Sequence, residues 1–593
     1  MINATWITYS SVKLCVVHVI GRDRDACPAQ LAANMERVLG TPELLQRIFS
    51  LLDLASNAAN ARVCQRWFDL ALEILWRNVD NPYFLFKILA PLKKSSGSGK
   101  HYVCISYTRR RPCTCSYQPQ EFQRLPSSSD WKRFWKYGTQ VRCLSFRKNS
   151  PHLLLGSVLE TISTTRTTLD IFPNLHTLVL DAEGPNFYNL CVILMHTHIK
   201  SFTLTLSTHL TRSPQFLFEE IRARMPDLTD INIRSYIPMR TIEAELISLI
   251  SPLLRLKTII LPRFYLTTKF TEALSRLPDL MNIQIGQEAG HGDRIDVTPF
   301  APDLTGDSFP NLLGHSMMAT FHDATHFLEK NFSPTNLERL YIESDINEAA
   351  SSIHSLVSAI SVISQNCLNL KIICLVSYAG IDSLPDVTQI EDLTIDVLKP
   401  LFKLSGLVDV QLLHRHPLAL KQQDIEFLAS SWPLLTTLKL NHHPIHYTTP
   451  SSLTLEALVP FAKCCPNLKC LCLFVDANDK LFLPVDLIPF QNLEMLDLGF
   501  SSISGTERVA VYLSGILPLQ CKLCPALPSD ILDRIDSIQE VRRSQQLMKQ
   551  WAKVADLLGI LQIARLHERT RNQYLLLLQS MAVLPARITL NEM

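Results

Sequence analysis

The sequence is short of several things. Only 18 of its 593 residues are glycine, which leaves little material for glycine-rich phosphate-binding loops. Lys and Arg total 57 against 55 Asp and Glu, a net charge of +2. So small an imbalance excludes the broad positive footprint of a dedicated nucleic-acid binder and gives no pull toward anionic membranes. No run reaches the roughly 20 apolar residues that span a bilayer. The stretch from Leu14 to Ile20 is short, contains His18 and follows no basic segment, so it makes a poor secretion signal. Sixteen cysteines are too few and too scattered for a disulfide scaffold. Cys374, Cys470 and Cys472 lie inside apolar runs, where a free thiol acts as a small hydrophobe. A reducing, intracellular compartment, cytoplasmic or nuclear, is the expectation. The hydrophobic fraction of 47% excludes disorder over most of the chain.

What the sequence has in quantity is repetition. The pattern Leu-x-x-Leu-x-Leu, with Ile, Val or Phe allowed at the apolar places, begins at Val141, Leu175, Ile199, Leu228, Leu256 and Leu280. It continues from Leu337, Leu370, Leu407, Leu435, Leu468 and Leu493, with a degenerate copy at Leu312. Successive copies start 24 to 37 residues apart. Motif positions four and six share one face of a strand by the period of two, and position one turns into the same core. Stretches of helical length lie between, such as Thr241 to Ile250 and Ser351 to Ser364. A proline often stands two residues before the first Leu (Pro173, Pro226, Pro278, Pro310, Pro433, Pro466) and closes a helix before the next strand. One strand and one helix cannot bury their own apolar faces, whereas stacked copies can.

This pattern resembles the leucine-rich repeat family over roughly residues 140–525, and the resemblance implies an α/β solenoid, a horseshoe. The Asn or Cys usual three residues after the last motif Leu is mostly absent, so the repeats are divergent. An ordinary α/β fold with parallel strands is the alternative. The solenoid is assigned to residues 131–525, with Trp131 to Gly138 as a helix that starts it. Residues 526–593 are expected to form a C-terminal helical cap, with Ile531, Ile535, Ile538 and Val541 on one face. Residues 93–130, containing SSGSGK, Arg109 to Arg111 and LPSSSD, read as a flexible linker. Residues 1–34 match nothing, and Met35 is a possible natural start.

Residues 36–92 hold a compact helical segment. Thr41 is a good N-cap, Pro42 suits the first helical position, and Glu43 favours the positive helix end. Leu44, Leu45, Ile48, Phe49 and Leu52 form one apolar face. A second helix is expected to carry Val63, Cys64, Trp67 and Phe68, and Leu72, Leu75 and Trp76 close the segment. So small a unit has little core of its own and should bury surface against a partner. These residues resemble the F-box: P-E-L-L-x-x-I-F-x-x-L, then V-C-x-x-W, then L-W. The family's Leu-Pro before the first helix is replaced by Gly40-Thr41, with the proline one residue later. The resemblance implies a three-helix module that docks on a Skp-type adaptor, and through it on cullin and RING subunits of a ubiquitin ligase. Carried over by position, the adaptor contacts would be Pro42, Glu43, Leu44, Leu45, Ile48, Phe49, Leu52, Val63, Cys64, Trp67 and Trp76.

The outward strand positions of the repeats give candidate contacts for a target protein: Arg234, Tyr341, Glu343, Gln411, Lys439, Asn441 and Asp497. Partners bound on loops, with this face merely solvated, are the alternative. Leu413 and Phe474 share the register, as exposed apolar anchors or as local packing. His414 and His416, then His442, His443 and His446, cluster in adjacent repeats, and local hydrogen bonding is favoured there over a metal site. Cys521-x-x-Cys524 lacks the second pair a zinc site needs. Ser96 to His101 departs from the phosphate-loop pattern. No metal, cofactor or catalytic group is therefore expected, and the chain reads as a non-enzymatic substrate receptor. A leucine-rich-repeat scaffold or inhibitor outside any ligase is the second reading.

Overall fold

The computed structural model describes residues 40–94, 120–147, 155–181, 187–206, 214–286, 290–330, 332, 334–366, 369–377, 393–445, 451–478, 488–524 and 538–582. They divide into two compact units, one comprising Met1–Arg263 and Gly286–Asp293, the other Phe264–Ile285 and Arg294–Met593.

The first unit opens with helices α1 (Pro42–Ser50), α2 (Leu54–Asn60) and α3 (Gln65–Arg77). Strand β1 (Asn78–Val79), helix α4 (Pro82–Leu89), strands β2 (Leu92–Lys94) and β3 (Gln120–Phe122) and helix α5 (Ser128–Gly138) follow. Then come β4 (Cys143–Arg147), β5 (Thr177–Asp181), β6 (Ser201–Leu206), β7 (Asp230–Ser235) and β8 (Thr258–Leu261). Strands β1, β4, β5, β6, β7 and β8 lie side by side in that order, all parallel. The second unit repeats this arrangement. Its strands are β9 (Asn282–Ile285), β10 (Gly314–Met318), β11 (Arg339–Ser344), β12 (Ile372–Ser377), β13 (Asp409–His414), β14 (Thr437–Leu440) and β15 (Cys470–Leu473). The short pair β16 (Asp476–Ala477) and β18 (Ser502–Ile503) stands apart, while β17 (Met495–Asp497) and β19 (Lys522–Leu523) extend the parallel sheet.

The repeat reading explains the strands. Each motif copy carries one strand, which starts two residues after the motif's first position. Those first residues are buried throughout, at 5% exposure or less, from Val141 to Leu493. Positions four and six alternate inward on the strand, as with Leu178 and Leu180 or Leu438 and Leu440. Helices Gln215–Arg224, Thr268–Ser275, Gln422–Ser431 and Leu458–Cys464 each end shortly before the expected proline.

The degenerate copy shows what the slot requires. In β10 the inward position four is His315, stacked against Phe327 at 5.6 Å and flanked by Phe309 and Phe332. Burial pushes its pKa down to about 4, because the imidazolium cannot be hydrated there. The unfolded chain keeps the ordinary value near 6.5 and so takes up the proton first. Stability tied to His315 is therefore complete above about pH 6.5 and is lost as the pH falls toward 4. His315→Leu should flatten that limb of the stability–pH profile by on the order of 3 kcal/mol at its acid end, read by urea unfolding at successive pH values. An unaltered limb would contradict the assignment.

Two of the assigned segments carry describable structure. The presumed linker, residues 93–130, is ordered at both ends. Leu92–Lys94 pairs antiparallel with Gln120–Phe122, and Lys93 meets Glu121 at 3.2 Å. These strands are too short and too polar to show an alternating pattern. Helix α5 starts at Ser128, with a capping box between Ser127 and Asp130. Arg124 grips the buried Asp130 carboxylate with two hydrogen bonds of 2.5 and 2.9 Å, which hold its pKa far below the usual range. The middle of that segment lies outside the described residues. At the other end, Ile538–Ala582 is one continuous helix that buries Met548, Trp551, Val554 and Leu558. Its Trp551 Nε1 donates to the Ser501 carbonyl, and Gln562 Nε2 reaches the carbonyls of Pro518 and Cys521. Ile531 and Ile535 lie outside the described residues, and Val541 is half-buried. Among the described residues no helix is long and apolar enough to cross a membrane.

Candidate functional site

The helical module closes a core of its own. Leu45, Ile48 and Phe49 of α1 are buried to 1% exposure or less with Ala71 of α3, and Leu52, Ala61, Trp67, Leu70 and Ile74 pack against them. Phe49 meets Trp67 edge-on, with ring centroids 5.2 Å apart. Asp53 caps α2 by accepting from the Ser56 amide, and the buried Asn57 donates to the Phe49 and Leu52 carbonyls around the end of α1. Trp76 stacks edge-on against Tyr137 of α5, which ties the module to the first repeats.

This placement sorts the residues expected to touch an adaptor. Pro42, Glu43, Leu44, Val63 and Cys64 are exposed, Leu52, Trp67 and Trp76 are half-buried, and Leu45, Ile48 and Phe49 face inward. The helical stripe that those three form is the one on which the module packs its own core. Val63 and Cys64 precede α3 instead of lying on a helix. The exposed apolar side chains of the module are Leu44, Leu51, Leu54 and Val63. Leu51 and Leu54 were missed, though an apolar residue off the 3.6-residue stripe is the signal that marks them.

In the second unit the register gathers most of the expected target contacts into one row. Tyr341, Cys374, Gln411, Lys439, Cys472 and Asp497 are successive cross-strand neighbours on β11, β12, β13, β14, β15 and β17. Tyr341 donates to Glu343 at 2.7 Å, and Gln411 donates to Asp409 at 2.9 Å. Arg234 belongs to the first unit, where it pairs with Asp181 at 3.3 Å. Tyr341, Gln411 and Lys439 are partly open, whereas Glu343, Asn441 and Asp497 are buried. Burial pushes the Asp497 carboxyl up to about 6, against the opposing pull of Lys439 and of the Gly499 amide that it accepts from.

Other expected surface groups prove structural. Leu413 packs with Tyr341 on Cys374, Val376 and Ile445, and Phe474 is covered by Phe500, Met548 and Leu547. The buried His414 contacts the Glu348 carbonyl at 2.9 Å and accepts from the His416 amide at 3.0 Å, so local bonding holds there. His442 does not join it. Its Nε2 lies 3.7 Å from Asp497. His446, Arg109 to Arg111 and Ser96 to His101 lie outside the described residues. Burial pushes the Cys521 thiol up to about 12.

Asn441 is a correction to the contact set. Its Oδ1 accepts from the His414 amide at 3.0 Å, its Nδ2 donates to the His416 carbonyl, and its own φ is +41°. It pins the turn after β13. Asn441→Ala strands two buried backbone groups and should cost about 2 to 4 kcal/mol in urea unfolding. A change below about 1 kcal/mol would return Asn441 to the surface contacts.

Comparison with known proteins gives a family match for the helical module. Residues 42–82 match the F-box-like family model, a span running from α1 to the start of α4. No curated protein matches the sequence. Among solved structures, the leucine-rich repeat-containing protein LegL7 from Legionella pneumophila is similar over 62% of this chain and 95% of its own, at 12% identity and a TM-score of 0.29.

Proposed function

We propose that this chain is the substrate-recognition subunit of a Skp–cullin–F-box ubiquitin ligase, holding the Skp-type adaptor with its F-box-like module and a target protein with its repeats. The observation that carries this reading is the combination of a closed core and exposed apolar side chains. A module that already buries Leu45, Ile48 and Phe49 yet exposes Leu44, Leu51, Leu54 and Val63 has a second apolar surface to cover. In this reading these exposed side chains, with Pro42 and Cys64, meet the adaptor, and the buried trio shapes the helices that present them. The open members of the row, Tyr341, Gln411 and Lys439, then supply anchors for a target, as a few aromatic and charged side chains carry most interface energy. The chain performs no chemistry itself. Cullin and RING partners do so, and this subunit contributes proximity and orientation. The helix Ile538–Ala582 serves as the cap of the repeats, and the complex works in cytoplasm or nucleus.

The test separates surface from core. Leu44→Asp combined with Val63→Asp should weaken binding to a purified Skp-type adaptor by about 30-fold or more in titration calorimetry, at unchanged far-ultraviolet dichroism. Ile48→Asp should abolish binding by unfolding the module, since it buries an unpaired charge. No binding by the unaltered chain would contradict the receptor reading and favour a scaffold outside the ligase, and full affinity in the surface double variant would move the contact away from Leu44 and Val63.

A further inference from the structure

We propose that the second unit binds a thiophilic divalent cation, zinc by its chemistry, between Cys470, Cys472, His442 and Asp497. The four residues come from three neighbouring segments: both cysteines from β15, Asp497 from the end of β17, and His442 from the turn after β14. Two cysteines separated by one residue on a strand share a face, and here their sulfurs stand 3.8 Å apart. That is the spacing two thiolates keep on one tetrahedral zinc, about 3.8 Å for Zn–S bonds of about 2.3 Å. Ligand atoms of His442, Cys472 and Asp497 lie within 4.8 Å of one another, and all three side chains are buried; the half-buried Cys470 stands outside that trio and reaches it through the Cys472 sulfur.

Several features show a built site. The buried Nδ1 of His442 has no hydrogen-bond partner, a cost that coordination through that atom would recover, while Nε2 is the nitrogen that stands 3.7 Å from Asp497. Asp497 uses one oxygen to accept from the Gly499 amide at 2.9 Å and turns the other toward His442, the kind of outer hydrogen bond that orients a metal ligand. Gly499 takes φ +50° and passes so close to the His442 carbonyl that a Cβ would stand 1.7 Å from it. The Phe500 amide then donates to that same carbonyl at 3.0 Å. The backbone on both sides of the cluster is thus fixed. Two sulfurs and a nitrogen select a borderline or soft ion over calcium or magnesium. Two thiolates and one carboxylate on a dication leave one negative charge, and Lys439 is the cross-strand neighbour of Cys472 that offsets it. With the Cys470 sulfur turned onto the ion beside the other three, no position stays open and the site is structural, a clasp across β14, β15 and β17.

The experiment uses the full chain, reduced, with cobalt(II) alone as the probe. One equivalent should bind with the intense visible absorption of tetrahedral cobalt and a sulfur-to-cobalt charge-transfer band, both removed by one equivalent of zinc. Cys472→Ser should lose these bands, and Cys374→Ser, in the same row but outside the cluster, should keep them. A weak octahedral spectrum, or bands that persist in Cys472→Ser, overturns the proposal. If Cys472→Ser does not fold, the unaltered chain decides. Zinc should slow alkylation of both Cys470 and Cys472 by about tenfold or more relative to chelator-treated protein, as only the free thiolate reacts. Protection that omits either cysteine overturns it. Neither readout involves the adaptor, so this proposal and the receptor reading stand or fall separately.

Discussion

The structure depends on one constraint: no single repeat can bury its own apolar face. A strand of three to six residues with one short helix leaves its position-one, -four and -six side chains half uncovered until the next copy stacks on them. The alignment of the motif with the strand starts is the visible result, from Cys143 in the first unit to Met495 in the second. The same constraint accounts for what deviates. His315 occupies an inward slot as a neutral imidazole because the slot admits nothing charged, and an aromatic shell of Phe309, Phe327 and Phe332 fills the volume that a Leu would leave. The outward positions are released from that demand, so polar and reactive side chains collect there.

Strands and the helical module were legible because both rest on periodicity. Every motif copy yielded a strand, and the Pro42-Glu43-Leu44-Leu45 start marked a helix whose Pro occupies the first turn. The expected segments Thr241 to Ile250 and Ser351 to Ser364 fall in helices at Glu243–Ile250 and Ala350–Asn366. What periodicity could not give is which of two apolar surfaces a small unit keeps for itself. Leu45, Ile48 and Phe49 carry the stronger stripe and turn inward, while the weaker, off-stripe Leu51 and Leu54 stay open. An apolar motif therefore locates a module without saying which of its residues a partner touches.

The outward row was legible in register and not in depth. Alternation put Tyr341, Gln411, Lys439 and Asp497 on one face, and the cross-strand pairing agrees residue by residue. Burial of Asp497 and Asn441 comes from turns and close backbone approaches, such as that of Gly499 on His442, which no spacing rule encodes. Cys470 and Cys472 look like ordinary apolar residues in a strand. Only the neighbouring His442 and Asp497 give their shared face a chemical meaning.

The central claim is that this chain carries one surface for an adaptor and another for a target. Hydrogen–deuterium exchange of the full chain with and without a purified Skp-type adaptor tests it most directly, because it reports every backbone segment at once. The account predicts slowed exchange within residues 42–64 and unchanged exchange in the strands from β11 to β17. Slowing in those strands with none in the module, or no slowing anywhere at saturating adaptor, would contradict it.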